Sequence, residues 1–520
     1  MARETTSLPL SLPSPPAGLS LYRWLYEELR AAILEGRLAP GSRLPATRDL
    51  ATAYRLSRST IVTAFEQLES EGYVEGRTGS GTYVSEVLPD QLLQVGRMRA
   101  EKRLPHRRIA LSEYSRRLQP FRQASARPAR AFRANQPALN LFPTALWAQI
   151  AARRLRRVSS GMLSGGEALG YRPLREAVAH YLNTSRGVKC SAEQVLILSG
   201  AQEALDRTAR VLVNPGDPVW MEEPGYPGAA LVFQALGANV RPVPVDEEGL
   251  NFEARRPRSA HGRLLYVTPA HQFPLGVTMT LRRRLALLEW ARRSGTAIFE
   301  DDYDSEYRYS GRPIPALQGL DRSGVVIFAG SFSAVLFPAL RLGYLVVPPE
   351  MVDVFAAAQS VSTHHPPMLG QAVLCDFLTE GHFARHIRRM RQIYAERLAI
   401  LLESAKQKLS GALEISSVEA GLQTVGWLPK GVDAERVARA AEQEGVEVVP
   451  LRRYAWGKSP GNGLILGFAA FDPREIREGV ERLARVLGES GTLPRQIPPL
   501  ANPTMPKIGV AGPQTRERSG

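Results

Sequence analysis

The sequence predicts two folds on one chain, a winged helix-turn-helix head and a larger α/β body. Three observations predict it. Residues 21–86 pass from helical spacing to period two around a glycine-rich turn. Residues 97–133 form a basic, proline-broken stretch without sustained helical periodicity. Beyond residue 134, apolar runs end in small-residue, polar or acidic turns, the pattern of strands feeding helices.

Length and composition set the bounds. At about 150 residues per domain, 520 residues make roughly two to four domains. A hydrophobic fraction of 44% with 22% charged residues supports a sizeable core and excludes wholesale disorder. Cys190 and Cys375 stand far apart without metal-ligand spacing, which excludes a disulfide framework or a zinc cluster. The start, MARETTSLPLSLPSPP, has no apolar core of signal length. No run of ~18 apolar residues exists, so no membrane span is expected. The expectation is a reduced, soluble, cytoplasmic protein with disordered tails at 1–20 and, rich in proline, at 488–520.

The net charge of +15 is unevenly spread. Residues 1–96 carry −2, 97–133 carry +10, 134–487 carry +5 and 488–520 carry +2. The block from Arg97 to Arg133 reads as part of an Arg-rich linker over 87–133, between a head at 21–86 and a body at 134–487.

In the head, Leu21, Leu25, Leu29 and Ile33 recur at helical spacing, and Gly36 ends the run. Thr47 is placed to cap a short helix carrying Leu50, Ala51 and Tyr54. Ser57 is placed to cap a helix over 58–70, with Ile61, Ala64, Phe65 and Leu68 inward. Arg58, Ser59 and Thr60 then project from its first turn. The strand pair Tyr73–Arg77 and Thr82–Val84 closes around Thr78-Gly79-Ser80-Gly81. A helix entering a major groove needs small and basic residues at its N-terminus, where N–H groups and hydroxyls hold phosphates and Arg reaches base edges.

The blocks PGSRLPATRDLA, SRSTIVTAFEQLESEGYV and GSGTYV resemble the GntR-type winged helix in order and spacing. The resemblance implies contacts to double-stranded DNA by Arg48, Arg58, Ser59, Thr60 and Gly79. Because the head is not net basic, non-specific affinity must come from local placement or from the linker.

Four blocks carry chemistry in the body. Ile197–Leu205 reads as a strand end, a small-residue turn and a helix start that presents free N–H groups to an anion. In EEPGYPG, Tyr226 follows a turn and can stack on a planar ligand or pack in the core. In LLYVTPAHQFPLG, a buried strand ends with His271 and Gln272 at the sheet's carboxyl edge. In AIFEDDYD, an acidic cluster ends an apolar strand; it imitates a metal site, but no second His/Asp cluster pairs with it, and no metal is expected. A buried carboxylate there can keep a pyridinium nitrogen protonated.

Together with GYRPLREAVAHYL, GSFSAVLFPALRLGYLVVP and GHFARHIRRMRQIYAERL, these blocks resemble the aspartate-aminotransferase fold. That is pyridoxal-phosphate fold type I, with a large α/β domain and a smaller C-terminal domain. Joined to the GntR-type head, the whole chain resembles the MocR/GabR-type regulators. The resemblance implies that Asp301 faces the pyridine nitrogen and Tyr303 the ring hydroxyl. It places Ser199, Gly200, Ala201, Gln202, Ser331, Ser333 and Arg341 around the phosphate, and Tyr226, His271 and Gln272 are counted with them as cofactor-binding candidates. It also implies a homodimer and a small-molecule effector, an amine or amino acid.

One departure matters most. In that family GSFS is followed by the lysine that holds the cofactor as a Schiff base, and here Ala334 stands there, 33 residues after Asp301. A methyl group can neither form that bond nor move a proton. The seven lysines (102, 189, 406, 408, 430, 458 and 507) fall in no other site motif. Ser164-Gly165-Gly166, Gln423 and Asn135 also depart from the family pattern, and several departures together favour natural loss over an engineered block. No catalytic residue is therefore assigned, and implied pyridoxal phosphate binding is non-covalent at most. The leading reading is a DNA-binding transcriptional regulator whose body senses an effector or the cofactor and dimerises. The alternatives are an aminotransferase with a fused head and a ligand-blind dimeric repressor. The Arg-dense helix over 381–398, like Arg452 and Arg453, reads as solvated surface.

Overall fold

The computed structural model describes residues 12, 13, 15, 19–77, 79–88, 109–120, 130–255, 262–310, 315–457 and 461–489. The chain divides into one unit over 1–110 and a second over 111–520.

In the first unit α1 (Leu21–Leu34) buries Trp24, Leu25, Leu29, Ala32 and Ile33, whereas Leu21, its first residue, is exposed. The run stops at Glu35-Gly36, where Gly36 takes φ +75°. α2 (Thr47–Ala53) starts one residue earlier than the sequence suggests. Ala46 occupies the extended cap position, and Thr47 lies inside the helix without capping it. α3 (Arg58–Ser70) is capped as expected, because Ser57 Oγ accepts the Thr60 N–H at 3.1 Å. Its inward face is Ile61, Ala64, Phe65 and Leu68. β1 (Val74–Arg77) and β2 (Gly81–Val84) pair antiparallel, with Val74 opposite Val84 and Arg77 opposite Gly81. Gly79 turns the hairpin at φ +74°, a conformation that an L side chain resists.

The second unit begins with a piece of the basic stretch. Ser112 caps α4 (Glu113–Arg117), a single turn too short to show as periodicity. Phe132, at the end of the basic stretch, is fully buried in the body's core, and its carbonyl accepts the Gly467 N–H at 2.8 Å. An eight-stranded sheet follows in the order β3-β10-β9-β8-β7-β4-β5-β6. The strands are β3 (Val195–Leu198), β4 (Pro218–Glu223), β5 (Asn239–Asp246), β6 (Gly249–Leu250), β7 (Leu264–Val267), β8 (Ala297–Asp302), β9 (Val326–Ser331) and β10 (Gly343–Val346). β5, β4, β7, β8 and β9 run parallel; β10 is antiparallel to β3 and β9. β3, β7 and β10 are buried along their whole length, as expected where helices cover both faces. α5 (Ala201–Leu212) follows β3, and α6 (Pro227–Leu236) follows β4.

The smaller layer holds an antiparallel sheet in the order β11-β12-β14-β13, from β11 (Glu414–Ile415), β12 (Gln423–Trp427), β13 (Val449–Pro450) and β14 (Gly463–Gly467). α7 (His382–Lys408) joins it to the larger layer and only partly fits a solvated surface. Arg385, Arg388 and Arg389 are exposed, but Arg397 is buried and donates to the Ala469 carbonyl. Among the described residues, no helix is long and apolar enough to cross a membrane, and no group of His, Cys, Asp and Glu could hold a metal ion.

Candidate functional site

The chemistry-bearing residues of the body gather at the carboxyl ends of β3, β4, β7, β8 and β9, where parallel α/β sheets open a crevice. One side is an anion cup at the start of α5. Gly200 precedes the helix at φ +132°, which leaves the first N–H groups pointing outward. Arg341, in the left-handed region at φ +48°, lays its guanidinium across Gly200, 3.8 Å from where a Cβ would stand. Gln202 ties the cup to the next helix: its amide donates to the Gly228 carbonyl at 3.1 Å and accepts the Tyr226 hydroxyl at 3.0 Å. Burial holds that phenol above its ordinary range.

Two cup residues point elsewhere. The Ser199 N–H and hydroxyl both reach Glu203 Oε2, at 2.7 and 2.5 Å, so Ser199 closes the first turn of α5. The Ser333 hydroxyl accepts the Leu342 N–H at 3.2 Å and braces the turn before β10. Ala201 opens α5 and Ser331 ends β9, both half-buried at the rim.

The other side is a cluster of buried polar side chains around Asp301. Asp301 sits near the end of β8, 5% exposed, and accepts the Tyr266 hydroxyl at Oδ2 over 2.8 Å. Its Oδ1 is buried without a partner among the described residues. Burial pushes this carboxyl up to about 7, and the Tyr266 bond opposes that rise. Such an oxygen fits a protonated ring nitrogen, which would supply both the missing hydrogen bond and the counter-charge.

Next to it, His271 Nδ1 lies 2.9 Å from Asp304 Oδ1 and 3.0 Å from the Tyr303 hydroxyl. With the imidazole proton on Nδ1, shared toward Asp304, the Tyr303 oxygen acts as an acceptor and its own proton is free to point away from His271. Burial and the Asp304 and Asp301 carboxylates keep that phenol well above its ordinary pKa. A hydroxyl or oxyanion on a ring held by Asp301 is the group that such a donor suits. Gly421 is required here, because any side chain would run into the His271 ring. Gln272 is engaged by its own neighbourhood and not by the Asp301 cluster. Its amide donates to Glu222 at 3.2 Å and to the carbonyls of Pro224 and Phe273 at 2.9 and 2.6 Å, which fixes the turn below Tyr226.

Sequence reasoning missed Tyr266, Asp304 and Phe273, whose ring meets Tyr226, Tyr303 and Tyr454 edge-on. The partnership of Tyr266 and Asp301 depends on β7 lying beside β8, which no local spacing reveals. Ala334 lies in the short helix Phe332–Val335 that follows β9. The described lysines are all exposed: Lys189 before β3, Lys406 and Lys408 at the end of α7, and Lys430 after β12. The residues therefore fit a phosphate and a pyridine ring, but the described ones offer no amine to bond the ligand.

In the head, Arg48, Arg58 and Ser59 are exposed, Thr60 is half-buried, and Gly79 is exposed at the hairpin tip. Ser57 Oγ also lies 2.8 Å from Ser59 Oγ and 2.7 Å from Thr60 Oγ1, which orders the first turn of α3. Two arginines not singled out in the sequence mark the wing. Arg77 lies over the Tyr83 ring at 4.7 Å, and the Arg43 side chain fills the space that a Cβ of Gly81 would need.

Comparison with known proteins agrees with this two-part construction. Residues 21–84 match the bacterial regulatory proteins of the gntR family, and residues 132–483 match aminotransferase class I and II. The probable rhizopine catabolism regulatory protein MocR of Rhizobium meliloti is 42% identical over 485 residues, covering 92% of this chain and 96% of that protein. The HTH-type pyridoxine biosynthesis transcriptional regulator PdxR of Corynebacterium glutamicum is 32% identical, covering 90% and 96%. Among solved structures, the α-aminoadipate aminotransferase LysN of Thermus thermophilus, complexed with N-(5′-phosphopyridoxyl)-L-leucine, superposes with a TM-score of 0.64 at 33% identity, covering 69% of this chain and 92% of that one. The chain belongs to the HTH-type transcriptional regulators that join a gntR-family winged helix to a class I and II aminotransferase body of pyridoxal-phosphate fold type I.

Proposed function

We propose that this regulator binds DNA through its head and senses, in its body, pyridoxal phosphate or a preformed adduct of it, held non-covalently and without turnover. The observation that carries the reading is the pairing of a buried, unpartnered Asp301 Oδ1 with Ala334 at the lysine position. When bound, the cofactor supplies a phosphate handle, a basic ring nitrogen and an aldehyde reactive toward amines. Arg341 and the α5 N-terminus would hold the phosphate, Asp301 the ring nitrogen and Tyr303 the ring hydroxyl. Without a lysine, no group of the chain at that position moves the proton that transamination requires.

In the head, Arg58, Ser59 and Thr60 are placed to enter a major groove while Gly79 lets the wing approach the backbone. Arg48 on α2 would contact phosphate. We assign the body a pairing role as well: a second copy would set the spacing of two heads, so that ligand binding and operator choice become linked. Relatives named for rhizopine catabolism and pyridoxine biosynthesis support an amine, amino-acid or vitamin-derived effector, and a DNA-binding gntR-family head suits action in the cytoplasm.

Titration of the full chain with pyridoxal phosphate, followed by absorbance and protein fluorescence, tests this. Saturable, dialysable binding is expected; silence at millimolar cofactor would leave the body as a dimerisation module. An aminotransferase is the second reading, and keto acid formed from an amino donor would establish it in place of the first.

A further inference from the structure

We propose that residues 112–118 of the linker form a clasp on the body that reports occupancy of the anion cup. This rests on the reading that the cup takes a phosphorylated ring ligand. The clasp is built by short-range chemistry. Ser112 accepts the Ser115 N–H at 3.1 Å, and Glu113 pairs with Arg116 and Arg117, each at 3.1 Å. That single turn presents two side chains to the body. The Tyr114 hydroxyl accepts from Arg210 Nη2 at 2.8 Å, and its ring lies 5.1 Å from the same guanidinium. The Arg117 guanidinium occupies the space that a Cβ of Gly237 would need.

The two docking points are the far ends of the two helices that build the cup. Arg210 stands in the last turn of α5, whose first turn carries Gly200 and Gln202. Gly237, in the left-handed region at φ +78°, terminates α6, whose N-cap is Tyr226. Gln202 and Tyr226 tie the helices at the cup end, and the clasp spans them at the other. At a rise of about 1.5 Å per residue, α5 is a rod of roughly 18 Å and α6 one of roughly 15 Å. On this proposal an anion drawn onto the first turn of α5 displaces that helix as a unit, and the clasp registers the displacement because it touches both helices. The clasp contacts are few and partly exposed, so a small displacement is enough to change their occupancy. A ligand would thereby change how the Arg-rich linker leaves the body without touching it.

Millisecond-to-second amide exchange on the full chain tests this, with N-(5′-phosphopyridoxyl)-L-leucine as probe and Arg210→Ala as the clasp variant. Arg210→Ala should speed exchange over 113–118 by about tenfold and leave 199–204 unchanged. Tyr114→Phe should give a smaller increase. The probe should slow exchange at 199–204 in both proteins, and change it at 113–118 by about threefold or more in the parent alone. Protection of 199–204 with no change at 113–118 in the parent would overturn the clasp as a reporter. An unchanged rate at 113–118 in Arg210→Ala would overturn the clasp itself. No protection at 199–204 would overturn the cup reading, and the coupling with it, by a signal confined to the cup.

Discussion

Tyr266 donates its hydroxyl to Asp301 Oδ2 at 2.8 Å, and this bond leaves Oδ1 of the same carboxyl buried and unpartnered among the described residues. Tyr266 engages one oxygen of the carboxyl and leaves the other without a partner among the described residues, and a cationic ring nitrogen would complete it. Asp301→Asn should weaken pyridoxal phosphate binding by about tenfold to a hundredfold, since a charge-assisted hydrogen bond is lost. Tyr266→Phe should weaken it less, by about fivefold. Titration of the three proteins by absorbance ranks them; equal affinities would place the ring elsewhere.

Four buried carboxyls make the ligand-free protein sensitive to pH. Burial pushes Asp301, Glu222, Glu300 and Glu306 each up to about 7. Each keeps its proton to a higher pH folded than unfolded, so the folded state binds more protons between about pH 4 and 7. Stability from this source is full below about pH 4 and is lost as pH rises through 7. The melting temperature of the ligand-free chain should therefore fall between about pH 5.5 and 8. Asp301→Asn should flatten the slope in part, and saturating cofactor should do the same by stabilising the ionised carboxylate.

Ser57 is the cap that orders the DNA-facing turn. Its hydroxyl satisfies the Thr60 N–H and sits within hydrogen-bond distance of Ser59 and Thr60. Ser57→Ala should cost the head about 1 kcal/mol, read as faster exchange of the α1–α3 amides. Operator affinity should fall with it, whereas Ser57→Asp should restore the fold but not the affinity, because its charge opposes phosphate.

Arg58 and the linker arginines should fail differently. Arg58→Ala should cost about 1–3 kcal/mol and relax the preference at one base position, as loss of a base-edge contact does. Replacing Arg103, Arg107 and Arg108, which lie outside the described residues, by Gln should weaken binding to all sequences alike and lower the salt dependence. Binding measured on operator and scrambled duplexes at several salt concentrations separates the two.

Local chemistry was readable and lateral chemistry was not. The α3 bounds and the Ser57 cap follow from residues three apart, so the sequence carries them openly. Thr47 shows the limit of that reasoning: Ala46 takes the extended cap position, and a hydroxyl one residue later is inside the helix. Asp301 was visible as the acidic end of an apolar strand, but Tyr266 reaches it only across the β7–β8 pair. Gln272 and Ser333 have the right side chains for ligand contacts and engage the neighbouring turns instead, which depends on rotamer and not on residue type. Phe132 closes a segment that composition marks as linker, yet the core of the body holds it. The clasp residue Tyr114 was invisible, because its partner Arg210 is far along the chain.

On the proposed function, the body holds its ligand without a covalent bond because residue 334 is alanine. Borohydride reduction of the full chain with pyridoxal phosphate, followed by intact and peptide mass measurement, tests it directly beside Ala334→Lys. The parent should bind cofactor reversibly and gain no mass within the site, while the variant should gain one phosphopyridoxyl group on residue 334. A phosphopyridoxyl group fixed stoichiometrically at any lysine of the parent would contradict non-covalent binding.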